Sequence, residues 1–152
     1  MIVAFSTSSP LASVALLEED GTPIAGHEEL APMRASSACV AALERLLAQQ
    51  RRSLDQATGF LADLGPGSFT GVRVGVTLAK TFAFAAGRPA GGLPSFDLIS
   101  PDRAVAVPSR RGRSFVREPG EAPVEAGDDE VGPDLLGYGP SRAVQTHPRA
   151  LA

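Results

Sequence analysis

Apolar positions in the first third of the chain come in short runs and then change period. Ile2-Val3-Ala4-Phe5 is continuously apolar, the pattern of a strand buried on both faces. Ser8, Ser9 and Pro10 mark a turn, and residues 12–18 read as a second strand. Asp20-Gly21 is a hairpin signal, and a third strand follows near residues 23–30. The opening is therefore an antiparallel meander. A helical period then takes over, with Ser36 or Ser37 placed to cap a helix that runs to about Arg52. Cys39, Leu43, Leu46 and Gln50 fall on one stripe of it, Val40, Leu43 and Leu47 lie beside that stripe, and Arg51 and Arg52 suit the negative end of its dipole. Thr58 to Asp63, around Phe60-Leu61-Ala62, predicts a short buried strand. A long helix then extends to about Ala86 and stops at Gly87, as helices commonly stop at glycine. Residues 88–93 predict another strand, Ser95 a cap for a short helix through Ile99, and residues 104–107 and 114–117 two further strands. The order βββαβα followed by β predicts a layered α/β domain of roughly 100 residues.

Composition narrows the class. A chain of 152 residues suits one domain, or one domain with a stunted second. A net charge of -3 argues against nucleic-acid binding by the isolated chain, because counterion release needs a basic face. No apolar run approaches the roughly 18 residues of a membrane span, and Met1 to Phe5 reads as a strand and not as a signal peptide. Cys39 is the only cysteine, which excludes an intrachain disulfide or a thiolate metal cluster and fits a small buried hydrophobe. His27 and His147 stand alone and read as surface residues, Asp63 as a turn or cap residue, and Asp128-Asp129-Glu130 as solvated tail. These bounds predict a cytoplasmic protein without metal or cofactor. Residues 119–152 hold ten of the 29 glycines and prolines with little periodicity, which predicts an irregular or disordered tail. The expected organisation is a domain over 1–100, a remnant of a second over 101–118, and that tail.

The most distinctive segment is Gly65-Pro66-Gly67-Ser68-Phe69-Thr70-Gly71, set between a strand and a helix start. Such a place can cradle phosphate with free N–H groups and the positive helix end. The spacing is G-x-G-x-x-x-G and not G-x-G-x-x-G, no Gly-Lys-Ser/Thr follows, and Pro66 removes a donor. On local evidence a tight turn capped by Ser68 or Thr70 is favoured. In the helix after it, Gly71, Gly75, Ala79 and Ala83 recur every four residues as a smooth stripe flanked by Val72, Val76 and Phe82. Two glycines inside a helix cost roughly 1 kcal/mol each relative to Ala, so close approach of another backbone is expected. That neighbour is either the chain's own helix 36–52 or a second protein.

Gly65-Pro66-Gly67-Ser68-Phe69-Thr70-Gly71-Val72-Arg73-Val74-Gly75, followed by Ala79-Lys80, closely resembles the signature of the bacterial TsaB family. Ile2-Val3-Ala4-Phe5-Ser6-Thr7-Ser8 and Ser13-Val14-Ala15-Leu16-Leu17 are similar to its first hairpin, and the likeness runs weakly on through Val105-Ala106-Val107 and Arg110-Arg111-Gly112. The resemblance implies a ribonuclease-H-like, actin-like α/β fold and a non-catalytic scaffold subunit. That subunit pairs with a TsaD-like catalytic subunit, assisted by a TsaE-like ATPase, to place threonylcarbamoyl on N6 of adenosine in tRNA. The tRNA would be met only indirectly, and Arg110, Arg111 and Arg113 read as a solvated hairpin tip in preference to a cluster that touches tRNA within the complex. The expected docking surface is a four-helix contact using Val40, Leu43, Leu47, Gly71, Val72, Gly75, Val76 and Ala79, with a homodimer through the same helices as the alternative. Ser6 stands where the family usually has Asp, Ala35-Ser36-Ser37 where it often has His-Ser, and Pro108-Ser109-Arg110-Arg111 where it has Asp-Ala-Arg-Arg. Actin-like ATPases need a carboxylate after the first strand to hold the Mg²⁺-water shell, and Ser6 takes that place. Ser68 and Thr70 have no base partner legible in sequence. The competing function class is a divergent paralogue that binds nucleotide or transfers phosphate with the glycine loop.

Overall fold

The structure is a computed structural model that describes residues 1–132 and 135–138. Strands β1 (Ile2–Ser6), β2 (Leu11–Leu17) and β3 (Pro23–Leu30) form the expected meander. Its second turn is closed by Asp20, whose carboxylate accepts from the Thr22 N–H at 2.9 Å, with Gly21 at φ 88°. Helix α1 (Ala35–Gln49) and a 3₁₀ turn at Leu54–Gln56 lead to β4 (Gly59–Asp63), which lies parallel to β1. Helix α2 (Phe69–Ala86) then crosses to β5 (Ala90–Leu93), parallel to β4. The sheet order is β3-β2-β1-β4-β5. Three antiparallel strands continued by two parallel ones, with helices in the crossovers, is the ribonuclease-H-like, actin-like arrangement that the resemblance implied.

Period-two alternation in β1 sorts its side chains between two cores. Val3 and Phe5 point into the main one, with Val14, Leu16, Cys39, Leu43, Leu46, Phe60, Ala79 and Ala83. Ala4 faces the other way, into a smaller cluster with Ala15, Leu17 and Leu61. Phe82 stacks on Phe5 and on Phe60, with ring centroids 5.7 and 6.0 Å apart. It thus packs against the main core.

Several predicted ends shift for local reasons. Helix α1 follows Arg34, and neither Ser36 nor Ser37 caps it: the Ser37 hydroxyl donates back to the Arg34 carbonyl at 3.1 Å. The helix ends at Gln49, and Arg51 turns left-handed at φ 53°. Arg52 leaves the helix axis and pairs with Glu18 at 2.7 Å. Gly87 terminates α2 at φ 61°, as its sequence position predicts. Short helix α3 (Ser95–Ile99) follows Pro94, and Ser95 is not its cap, because that hydroxyl is directed elsewhere.

A second sheet follows: β6 (Val105–Arg110), β7 (Arg113–Arg117), β8 (Val124–Gly127) and β9 (Leu136–Gly137), in the order β8-β7-β6-β9. Phe96, Ile99, Val105, Val107 and Tyr138 form its core. Strands β8 and β9 fall in the stretch expected to be irregular, so residues 124–127 and 136–137 depart from that expectation; residues 133–134 and 139–152 of the same stretch lie outside the described residues. Arg117 joins α3 to this sheet: its guanidinium donates to the Ser100 carbonyl at 2.6 Å, pairs with Asp97 at 3.1 Å and lies 5.7 Å from the centre of the Phe96 ring.

Candidate functional site

The glycine loop is built outward from Asp63, the last residue of β4 and only 2% exposed. Its carboxylate accepts hydroxyl bonds from Ser6 at 2.7 Å and from Ser8 and Ser95 at 2.5 Å each, and an amide bond from Gly65 at 2.8 Å. One buried carboxylate thus collects the end of β1, the β1–β2 turn, the glycine loop and the start of α3. The position of Ser6, where an actin-like ATPase needs an anion, has a carboxylate beside it from the neighbouring strand, but that carboxylate is already engaged by four donors.

Several N–H groups of the loop and of the first turn of α2 are engaged as well. Gly65 takes φ 84° and precedes a cis peptide bond to Pro66. The Ser68 N–H donates to the Ser8 carbonyl at 2.7 Å, the Gly71 N–H to the Ser68 hydroxyl at 3.2 Å, and the Val72 N–H to the Ser68 carbonyl at 2.8 Å. Ser68 is therefore the N-cap of α2, the role the turn reading gave it. With these donors committed and Pro66 lacking one, the geometry favours a tight capped turn over a phosphate cradle. Among the described residues, no three His, Cys, Asp or Glu side chains are grouped to hold a metal ion. His27 lies 3.0 Å from Arg45 and 3.6 Å from Glu29. Cys39 is buried among core residues, and burial, followed by the Glu29 charge, pushes its thiol up to about 12.

Helix α2 presents two different faces. At Gly71 and Gly75 its small-residue stripe meets the chain where β1 ends. A Cβ on Gly71 would stand 1.8 Å from the Thr7 carbonyl oxygen, and one on Gly75 would stand 2.9 Å from Thr7 Oγ1. Leu43, Gly75 and Ala79 are buried inside the chain. Four of the residues expected at a partner surface, Leu43, Gly71, Gly75 and Ala79, thus serve the protein's own sheet. The fourfold repeat signals that a backbone comes close without saying which. Leu47 and Val76 pack partly against the main core, while Val40 and Val72 are half-buried. A bulky side chain at Gly75 would test the fold and not an interface.

The outward face carries Phe69, Arg73, Thr77, Lys80 and Phe84, with Phe69 76% and Phe84 91% exposed. The Arg73 guanidinium covers the Phe69 ring at 5.4 Å. Between this face and the start of α1 lies a groove of about 290 Å³ lined by Ser36, Thr70, Arg73, Val74, Thr77 and Leu78. Sequence reading missed Phe69 and Phe84 because it sought the apolar stripe, which is the inward one. Their spacing of 15 residues, four helical turns, was the available signal.

Two of the three arginines at the β6–β7 turn share one carboxylate. Glu125 pairs with Arg110 at 3.0 Å and Arg113 at 2.9 Å and accepts from the Ser109 hydroxyl at 2.6 Å. The Ser109 bond first, and then the two arginines, hold the Glu125 carboxyl below the usual carboxylate range. A folded value below the unfolded one gives stability that is present above the unfolded pKa and lost as pH falls through the folded value. Glu125→Gln should therefore be slightly less stable than the parent at neutral pH, where that contribution is present, and converge with it below about pH 4, the ordinary range of the carboxyl, so that the acid limb of its denaturation profile is flatter.

The sequence profile of the family described as TsaD, tRNA N6-adenosine threonylcarbamoyltransferase, matches residues 29–102. The tRNA threonylcarbamoyladenosine biosynthesis protein TsaB of Bacillus subtilis (strain 168) is 34% identical over 99 residues, 65% of this chain and 43% of the relative. The protein of the same name from Escherichia coli (strain K12) is 35% identical over 92 residues, 60% of this chain and 39% of the relative. The matches thus span less than half the length of these curated relatives. The solved structure of YeaZ from Pseudomonas aeruginosa has the same fold, with a TM-score of 0.74 and 21% identity over 86% of this chain and 68% of that one.

Proposed function

We infer that this chain, a TsaB-family protein, acts in the formation of N6-threonylcarbamoyladenosine on tRNA as a non-catalytic subunit that docks a TsaD-like catalytic subunit through the outward faces of α1 and α2. The observation that carries the reading is the exposed ridge of α2. A helix whose inner stripe is committed to β1 still displays Phe69 and Phe84 to solvent at its two ends, and aromatic anchors of this kind dominate interface energetics. Val74 and Leu78 supply apolar surface in the groove beside this face. The Asp63 carboxylate, engaged by four donors, and the Ser68-capped turn support a scaffold over a phosphotransferase. A TsaE-like ATPase would join through the catalytic subunit, tRNA would be met indirectly, and a homodimer would use the same face when the partner is absent. No helix among the described residues is long and apolar enough to cross a membrane, which accords with a cytoplasmic place for this pathway.

Size exclusion with light scattering on this protein mixed with the TsaD-like subunit of the same genome should give a one-to-one complex. Replacing both Phe69 and Phe84 by Glu should weaken it by about 30-fold or more, the loss of one hot-spot residue or greater, with an unchanged melting temperature because both rings are exposed. Unchanged affinity in that variant would place the interface elsewhere.

A further inference from the structure

Tyr138 belongs to the second sheet but ends at the glycine loop of the first. Its ring lies in the apolar cluster of Phe96, Ile99, Val105 and Val107 and is 5% exposed. Its hydroxyl donates to the Ser8 carbonyl at 3.0 Å, across 130 residues of chain. That same carbonyl accepts the Ser68 N–H at 2.7 Å, the bond that seats the N-cap of α2. Gly67 passes so close that a Cβ there would stand 2.5 Å from Tyr138 Oη and 2.6 Å from the Ser8 carbonyl oxygen. The Ser8 side chain continues the chain of bonds to Asp63. The phenol tip is thus the point at which the β1–β2 turn, the glycine loop and the second sheet meet.

The strand that delivers it is the shortest of those described in the sheet. Among the described residues, β9 pairs with β6 at Leu136 and Gly137. Gly137 sits at φ 137°, with its Cβ position 1.7 Å from the Ala106 carbonyl oxygen, so no other residue type fits that crossing. A strand this short can open locally without unfolding of the rest, and such opening takes the hydroxyl off Ser8.

We propose that Tyr138 is a latch: through the Ser8 carbonyl it locks β9 to the glycine loop, so that opening of the second sheet loosens the N-terminal end of α2. The device does not depend on the partner assigned above. Burial pushes the phenol up to about 12, the Asp63 charge adds to the rise and the Ser8 bond offsets part of it, so the hydroxyl remains a donor across the physiological range.

Tyr138→Phe keeps the ring and removes only the bond. Amide hydrogen exchange in this variant should quicken by about 2- to 10-fold at residues 67–72, the range expected for one lost hydrogen bond, and stay unchanged at Phe5 and Phe60. Unchanged exchange at 67–72, or an equal rise through both sheets, would overturn the latch. The unaltered protein offers a second reading, because Tyr138 is the only tyrosine and there is no tryptophan. Its emission should resist acrylamide quenching until the chain is denatured. A ring quenched as freely in the native protein as in the denatured one would also overturn the proposal.

Discussion

Gly71→Ala is expected to be among the most damaging single-methyl additions in this protein. Helix propensity alone points the other way, since Ala is favoured over Gly inside a helix by about 1 kcal/mol. The geometry opposes it more strongly. The new Cβ would sit 1.8 Å from the Thr7 carbonyl oxygen and 2.9 Å from the carbonyl carbon. Both are backbone atoms of a residue 2% exposed, and Thr7 Oγ1 is bonded to the Gly71 carbonyl at 2.7 Å. Neither can swing away as a side-chain tip can. Relief requires moving α2 off the sheet or displacing the β1–β2 turn, and either strains the Ser68–Ser8 bond. Overpacking against rigid neighbours costs about 3 kcal/mol or more, roughly 6–12 °C of melting temperature for a chain of this size. Gly75→Ala should be milder, because its Cβ meets a rotatable hydroxyl, Thr7 Oγ1, at 2.9 Å. Thermal denaturation of the two variants beside the parent tests this order. A Gly71→Ala protein that melts at or above the parent would mean that α2 does not approach β1 so closely.

The same pair of glycines marks the limit of what the sequence reveals. A repeat of Gly71, Gly75, Ala79 and Ala83 makes a close approach legible, because the cost of helical glycine demands a reason. Which surface approaches is a tertiary fact, and the answer is a strand more than 60 residues earlier. Local signals performed well wherever structure is local. The apolar run of β1, the Asp20-Gly21 turn, the Ser68 cap and the Gly87 stop all appear where residue chemistry places them. They failed where hydroxyls have a choice. Ser37 could cap α1 and instead bonds back to Arg34; Ser95 could cap α3 and instead turns to Asp63. Strands β8 and β9, four and two residues long, are too short to carry a period. The outward ridge was obscured by the assumption that an apolar stripe with small residues is the one that meets a partner.

Asp63 was the least legible residue and carries the second large prediction. Its hydroxyl donors lie 57, 55 and 32 residues away, so nothing near it in sequence announces them. Asp63→Ala would leave the Ser6, Ser8 and Ser95 hydroxyls and the Gly65 N–H without their acceptor. Ser8 and Ser95 can partly compensate, since their hydroxyl oxygens are 3.2 Å apart. The Gly65 amide cannot turn. Loss of a buried charge that serves several donors costs about 3–5 kcal/mol, a large share of the roughly 5–15 kcal/mol that holds a domain together. Asp63→Asn separates charge from shape. Its remaining oxygen can serve Gly65 and Ser95, while its amide donors face Ser6 and Ser8, whose hydroxyls can rotate to accept. The Asn variant should therefore lose only about 1–2 kcal/mol. Urea denaturation of the three proteins gives the comparison. Equal losses for Ala and Asn would show that the carboxylate charge itself, and not an acceptor of that shape, organises the junction of β1, β4, the glycine loop and α3. A negligible loss for Ala would remove Asp63 from that junction and leave the Ser68–Ser8 and Thr7–Gly71 bonds to hold the first turn of α2 against the end of β1.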